Sequence, residues 1–357
     1  MRSRAFGSIA RLISLSLASL FLSGCYVLKL GLEQNNLINS RRPLAAVIAD
    51  PSTDAKTREK LSYAVEVMDY AVSQGLNTGG AYQHFVTLDR PVVSWIVQAA
   101  HADRLKSVTW WFPIVGRVPY LGFFERKERD AKAEELRAAG YDVARGGVGA
   151  FSSLGWFEDP IYSSMLNRDD TDLAHLLFHE LTHRTFWSPG SVEFNENLAE
   201  FVADELTKLY LEKKAMTNEL STHRARRADR ELLRVWLRDL RAALDALYSG
   251  PKKGDRPAIL TEKKAVFDHF TGAARPKFAV EDLVEGRDWN NASVLGASLY
   301  SPDTVRFERA FSCVSGKAGG TGSITVGRFL ELFREELNEN DDDGFKALDS
   351  MAAPCSA

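Results

Sequence analysis

The segment from Leu173 to Leu209, LAHLLFHELTHRTFWSPGSVEFNENLAEFVADELTKL, constrains the fold more than any other part of the sequence. It contains His179-Glu180-x-x-His183 within an apolar, helix-favouring run, followed by a Ser-Pro-Gly turn and a second helical run. Residues four apart lie on one face of a helix. His179 and His183 can therefore bind one metal ion, with Glu180 beside it as a general base. The alternative is an ordinary helix whose two histidines are core or surface residues and bind no metal.

A catalytic zinc takes three protein ligands and keeps one position open for water. Four acidic residues of the second run are candidates for the third ligand: Glu193, Glu196, Glu200 and Asp204. We predict Glu196, in the first turn of a helix capped by Asn195. Glu200 would then accept the free ring N–H of a zinc-bound histidine. His175 is a rival ligand, although a neighbour of the site or a packed histidine suits its position better.

These residue types predict hydrolysis of a peptide or other amide bond with one zinc ion per chain. Glu180 would take a proton from the attacking water and later deliver it to the leaving amine. A protein hydrogen-bond donor would stabilise the oxyanion. Tyr300 is our first choice for this donor and Tyr120 the second.

The first 25 residues are typical of an export signal, in which basic residues precede a short apolar run. The run, Leu12 to Leu22, is too short to span a bilayer comfortably. It ends in Leu22-Ser23-Gly24-Cys25, which resembles a bacterial lipobox, so we expect a lipid on Cys25. Tyr26 after the cysteine favours the periplasmic face of the outer membrane. An ordinary signal peptide or a short membrane anchor is the alternative.

Composition excludes some functions and leaves others open. With 357 residues and a formal net charge of −3, the chain offers no electrostatic case for nucleic-acid binding. After Cys25, the remaining cysteines are Cys313 and Cys355. An exported compartment is oxidising, so these two either form one disulfide or remain free thiols.

The pattern predicts an α+β, predominantly α protein. Residues 26–357 would form one domain, with an α+β half at 26–169 that carries a small mixed sheet and a helical half at 170–357. Helices are predicted at 54–75, 125–139, 170 to about 247, 288–300 and 326–339, and strands at 82–88, 92–99, 108–124 and 141–148. The basic cluster His223 to Arg230 is interpreted as the solvated face of a long helix.

Several stretches together resemble the bacterial predicted aminopeptidases, a zincin-like family of exported, often lipid-anchored metallopeptidases. The stretches are WWFPIVG at 110–116, YLGFF at 120–124, SSLGWFEDP at 152–160, the His179 motif, FNE at 194–196 and NNA at 290–292. The resemblance implies His179, His183 and Glu196 as metal ligands and Glu180 as catalyst. Two residues depart from the usual metal motif of the family. Thr182 stands where a small residue is often found, and Arg184 places a charge just after the second histidine.

By analogy with zincins, Gly147 to Leu154 is a candidate edge strand that would bind the substrate backbone. An interior strand is an equally good interpretation. An aminopeptidase also needs an acidic side chain that binds the free ammonium group of the substrate. Glu193 and Glu158 are the candidates for this role. Two other functions compete: a non-catalytic lipoprotein that acts as a binding or assembly factor in the envelope, and an amide hydrolase that acts on cell-wall peptides.

Overall fold

The computed structural model describes residues 36–112, 116–149, 159–188, 191–299, 303–317, 324–339 and 343–355. The helices are, in chain order, α1 (Leu44–Ala49), α2 (Ala55–Ser73), α3 (Arg126–Ala138), α4 (Asp170–Thr185), α5 (Val192–Lys213), α6 (Thr217–Ser249), α7 (Arg256–Thr271), α8 (Asn291–Leu299), α9 (Val305–Lys317), α10 (Val326–Glu339) and α11 (Gly344–Ala352). Short 3-10 turns lie at Ser163–Asn167 and Ala353–Cys355.

The strands are β1 (Arg42–Pro43), β2 (His84–Val86), β3 (Ser94–His101), β4 (Trp110–Phe112), β5 (Gly116–Val118), β6 (Tyr120–Phe123), β7 (Tyr141–Val148) and β8 (Ile161–Tyr162). They form a mixed sheet β1-β2-β8, an antiparallel sheet β6-β3-β7 and the hairpin β4-β5. The single mixed sheet of the sequence analysis is therefore wrong for the described strands, which divide into three small sheets.

Helix α2 shows how the sequence sets the position of a helix. The Asp54 side chain caps it by accepting the Thr57 N–H, which satisfies a backbone donor that has no partner within the helix. At its end, Gly75 has a φ of 95°, and a Cβ there would lie 2.6 Å from the Gly327 Cα. A side chain at this position would separate α2 from the start of α10.

The largest hydrophobic cluster surrounds α4 and α5. Phe194, in the first turn of α5, stacks on Phe333 of α10 with ring centroids 5.4 Å apart. A Cβ on Gly344 would lie 2.6 Å from the Phe194 ring, so α11 also packs closely here. Cys313 and Cys355 form a disulfide that joins α9 to the turn after α11. The C-terminal helices are therefore held against the beginning of α5.

The expectation of an α+β, predominantly helical protein is confirmed. Two predicted elements, the strand at 141–148 and the helix at 326–339, have the bounds of β7 and α10. The predicted run of helix from 170 to about 247 is three helices, α4, α5 and α6. Within the described ranges, every helix is too short or too polar to cross a membrane.

Candidate metal centre

Helices α4 and α5 carry the candidate site and pack against each other along their length. The Asp169 side chain caps α4 by accepting the Asp172 N–H at 2.8 Å. Asp170 and Asp172 lie in its first turn, where negative charge interacts favourably with the helix dipole. The apolar side of α4, including Leu177, is fully buried. Helix α5 begins at Val192 and brings Glu196 beside the histidines of α4.

The prediction that Asn195 caps α5 is wrong. The helix begins at Val192, and Ser191 caps it by accepting the Phe194 N–H. Asn195 lies inside the first turn, is 1% exposed, and spans the connection between the two helices. Its Oδ1 accepts the Ser188 N–H, and its Nδ2 donates to the carbonyls of Ser188 and Ser191, each at 2.8 Å. Asn195 therefore ties Ser188 and Ser191 to the first turn of α5, directly before Glu196.

Three predicted ligand atoms converge between the helices. The Nε2 atoms of His179 and His183 lie 3.2 Å apart. The Glu196 carboxylate is 3.5 Å from His179 Nε2 and 3.6 Å from His183 Nε2. Ligand atoms about 2.0–2.1 Å from a tetrahedral zinc lie about 3.3–3.4 Å from one another. Two imidazoles and one carboxylate at these separations fit a zinc ion.

The charges of the three side chains depend on one another. Burial acts to lower the pKa of His179, but the carboxylates of Glu196, Glu200 and Glu180 outweigh it and raise that pKa to about 10. Burial, and then the positive charge of His179, lower the pKa of His183 to about 4. His183 Nδ1 is buried and has no hydrogen-bond partner among the described residues. The surroundings of the three candidate ligand side chains therefore favour a single positive charge among them.

Glu200 lies behind the first histidine, as the sequence predicts. One carboxylate oxygen is 3.6 Å from His179 Nδ1, and the other is 3.1 Å from Nε of Arg230 in α6. Burial acts to raise the pKa of Glu200, but His175, His179 and Arg230 together lower it. Glu200 thus stays charged and can orient the His179 ring.

A second group of ligand types is formed by His175, Glu200 and Asp204, whose nearest atoms lie within 4.8 Å of one another. Arg230 pairs with both carboxylates, so its guanidinium occupies the place that a cation would take. His175 Nε2 lies 3.2 Å from Asp204 Oδ1. His175 is therefore a neighbour of the candidate metal centre and part of a charged network.

The interpretation of residues 223–230 as a solvated helix face is wrong. His223 is 4% exposed and Asp229 is 3% exposed. Arg227 and Arg230 both approach Asp204, and Arg226 pairs with Asp169 at the start of α4. The sequence pattern indicated a basic face, but it could not show that acidic residues of α4 and α5 lie opposite.

Glu180 is half-buried one position after His179. Tyr82, which the sequence analysis missed, lies close to it. Burial, followed by the charge of Glu180, raises the pKa of the Tyr82 hydroxyl. Tyr82 is 2% exposed and has a φ of 60°, and its N–H donates to the Asp159 carbonyl at 2.6 Å. Left-handed backbone at a bulky residue is uncommon and is often found at functional sites.

Arg184, which departs from the usual metal motif, ties α4 to the segment that precedes Tyr82. Its guanidinium donates to the Gly79 carbonyl at 2.6 Å. A Cβ on Gly79, which has a φ of 52°, would lie 2.5 Å from Arg184 Nη2. The sequence analysis missed this contact, although two consecutive glycines such as those before Tyr82 are typical of a loop.

Of the two tyrosines considered as oxyanion donors, Tyr120 lies in β6 and is 39% exposed. Burial, and then the charge of Glu196, raise the pKa of its hydroxyl. The charge of Glu196 therefore reaches the Tyr120 hydroxyl. Tyr300 lies outside the described residues, as do Glu158 and Cys25, while Glu193 is exposed on the first turn of α5.

The candidate substrate strand begins in β7. One edge of β7 pairs with β3, and its other edge pairs with no strand among the described residues. Residues 150–154 of the predicted strand lie outside the described residues. A cavity of about 1250 Å³ is lined by residues of β7 and also by Ile96 and Gln98 of β3. Consecutive residues of β7, Val143 to Gly147, line it opposite Glu200 and Asp204 of α5. The cavity thus lies between this part of the sheet and the charged groups behind the candidate metal ligands; His179, His183 and Glu196 themselves do not line it.

The fold and site define a protein with a histidine–carboxylate centre on two consecutive helices, a further carboxylate beside it, and a sheet with an open edge nearby. Residues 25–323 match the sequence model of a family described as "Putative aminopeptidase". The match covers most of the chain, and the protein belongs to this family. Neither a curated protein nor a solved structure matches the chain.

Proposed function

We propose that this protein is a zincin-like, zinc-dependent peptidase of the bacterial envelope. The observation that carries the proposal is the set of separations of 3.2, 3.5 and 3.6 Å among His179, His183 and Glu196. Nitrogen and carboxylate ligands in this combination suit a catalytic zinc that keeps one position for water. The presence of Glu180 beside the ligands distinguishes this arrangement from a purely structural site, because a structural site has no need of a base.

Zinc, when bound, lowers the pKa of water to near about 7 and polarises the substrate carbonyl. Glu180 accepts the proton of the attacking water and later delivers it to the leaving amine. The Tyr120 hydroxyl donates a hydrogen bond to the oxygen on which charge develops. Tyr300, our first choice from the sequence, remains an alternative donor. Glu200 holds the His179 ring by accepting its Nδ1–H, and Arg230 holds Glu200.

The substrate lies along the open edge of β7 as an additional strand. The Val148 carbonyl accepts the Val93 N–H at 2.8 Å, so Val148 faces β3. Because hydrogen-bonding direction alternates along an antiparallel strand, Val143, Arg145 and Gly147 direct their backbone groups away from β3. Asn290 donates to the Val143 carbonyl, which leaves the backbone groups of Arg145 and Gly147 directed at the cavity.

Metal analysis of the purified protein beside Glu180→Gln tests the mechanism. We expect about one zinc per chain in both forms and loss of peptide hydrolysis in the variant alone. Glu219→Gln, an exposed residue of α6, is the matched control and should retain activity. Hydrolysis that persists in Glu180→Gln would refute the role of this residue. Stoichiometric zinc without any hydrolysis by the native protein would favour a binding or assembly factor.

Exopeptidase activity is tested by comparing free peptides with their N-acetylated forms. An aminopeptidase cleaves only the free peptides, because it binds the substrate ammonium. Equal cleavage of both forms would identify an endopeptidase, and cleavage confined to cell-wall peptides would identify the amide hydrolase considered from the sequence.

The proposed location rests on the sequence around Cys25, which resembles a lipobox. We expect Cys25→Ser to abolish incorporation of labelled fatty acid and to release the protein from the membrane fraction. Membrane association that is unchanged in Cys25→Ser would refute lipid anchoring through this cysteine.

A further inference from the structure

Arg168 lies at the entrance to α4, directly after the turn Ser163–Asn167 and before the capping residue Asp169. Its backbone is held on both sides: its N–H donates to the Met165 carbonyl, and its carbonyl accepts Lys60 Nζ at 2.8 Å. The side chain is half-buried. A Cβ on Gly149 would lie 3.1 Å from Arg168 Nη2, so the guanidinium rests against the Gly149 backbone.

The guanidinium of Arg168 makes no hydrogen bond or ion pair with any residue that the structure describes. Other arginines near the site, such as Arg226 and Arg230, each pair with two carboxylates. Burial lowers the pKa of Arg168, and the more distant charges of Asp172 and Glu180 only partly oppose this effect. Keeping a partly buried cation without a counter-ion is unfavourable, so this position is suited to an external anion.

Arg168 lies near the path that we propose for the substrate. Gly149 directly follows β7, whose open edge borders the cavity. The Gly149 carbonyl accepts the Ser164 hydroxyl at 2.7 Å, which holds the backbone at the end of the strand beside the turn that leads to Arg168. Glu180 is near enough for its charge to act on Arg168. The guanidinium therefore stands where a chain aligned on β7 would pass the end of the strand, close to the base.

We propose that Arg168 binds a carboxylate of the substrate and so determines which peptides the site accepts. This inference rests on the proposed peptidase function and names the substrate class: peptides with a carboxylate near the cleaved bond. A planar guanidinium matches a carboxylate through two parallel N–H···O bonds. The carboxylate is either the C-terminus of a short peptide or the side chain of an aspartate or glutamate.

Peptide binding to Glu180→Gln, measured by isothermal titration calorimetry without turnover, tests the inference. The probes are trialanine, its C-terminal amide, and amidated tripeptides that contain aspartate or asparagine. We expect a carboxylate-bearing probe to bind roughly 10- to 100-fold more tightly than its uncharged counterpart, as hydrogen bonds to a charged group imply. Preference for trialanine over its amide identifies the C-terminus, and preference for aspartate over asparagine identifies the side chain.

The arginine is then changed in the same Glu180→Gln background. Arg168→Gln should remove the preference, whereas Arg168→Lys should retain part of it because the charge is kept. Arg238→Gln removes an equal charge from the exposed face of α6 and should leave the preference unchanged. The inference is overturned if no carboxylate preference exists, whether all probes bind equally or none binds, or if it survives Arg168→Gln. Failure of the peptidase proposal is seen separately, as absence of hydrolysis by the protein with Glu180 intact.

Discussion

Replacing Asn195 with alanine should destabilise the protein and weaken metal binding together. Asn195 joins the end of the α4–α5 connection to the first turn of α5 through three hydrogen bonds of 2.8 Å. Glu196, the predicted third ligand, is the next residue. Loss of the amide therefore removes the restraint on the backbone that carries the ligand.

The size of the expected destabilisation follows from these three hydrogen bonds. Each buried hydrogen bond contributes about 1 kcal/mol net, so three of them contribute about 3 kcal/mol to the free energy of unfolding. The Ser188 N–H, which loses its acceptor, lies in a residue that is 4% exposed. A buried donor without a partner adds a further penalty of about 1–3 kcal/mol unless water reaches it. We therefore expect Asn195→Ala to reduce the free energy of unfolding by at least about 3 kcal/mol.

Urea unfolding followed by circular dichroism, in the presence of a chelator, measures the loss without a contribution from metal. The matched control is Asn197→Ala. Asn197 lies on the same helix and is 5% exposed, but its side chain makes no hydrogen bond to a described residue. We expect this control to lose less than about 1 kcal/mol. A loss below about 1 kcal/mol for Asn195→Ala, or equal losses for both variants, would refute the reasoning.

Three further predictions concern the surrounding structure. Replacing Cys313 and Cys355 with serine opens a loop of 42-residue separation and should cost about 4 kcal/mol; thermal unfolding that matches that of the disulfide-bonded protein would contradict this. Glu200→Gln should weaken zinc binding about 10- to 100-fold in a chelator competition, and unchanged affinity would count against its role behind His179. Lys263→Met should cost about 3–5 kcal/mol, because it removes the cation that pairs with the Asp142 carboxylate of β7, whose side chain is 14% exposed, whereas Lys264→Met, on the exposed side of α7, should be nearly neutral in urea unfolding.

The convergence of His179, His183 and Glu196 was the part of the candidate site that the sequence could predict, because its geometry is local. His179 and His183 share a helix face by periodicity alone, and the short turn at 188–190 leaves little choice about where Glu196 can lie. The bounds of β7 and α10 were also predictable, since β7 lies between Gly140 and Gly149 in the sequence, and the helical periodicity of α10 ends before Asn340.

The groups around the metal centre could not be predicted, because they reach it from distant parts of the chain. Arg230 is 30 residues after Glu200 in sequence, and the Arg168 guanidinium meets Gly149 across the end of β7. Tyr82 carried no recognisable motif. A sequence records charge and hydrophobicity along one chain, whereas the pairing of charges depends on which surfaces the tertiary fold brings together. The same reason explains the error over residues 223–230.

The placement of all three ligands on one helical hairpin has a consequence for assembly. His179 and Glu196 are 17 residues apart, so closing the loop between them costs little chain entropy. The substrate edge and Tyr120, by contrast, lie before α4 and must dock across the domain. A partly unfolded form that keeps α4 and α5 together can therefore still hold a metal ion while it cannot align a peptide. Under the proposed function, metal content and peptide hydrolysis are then separable properties, and a bound metal would stabilise the pair of helices α4 and α5 before the rest of the domain is formed.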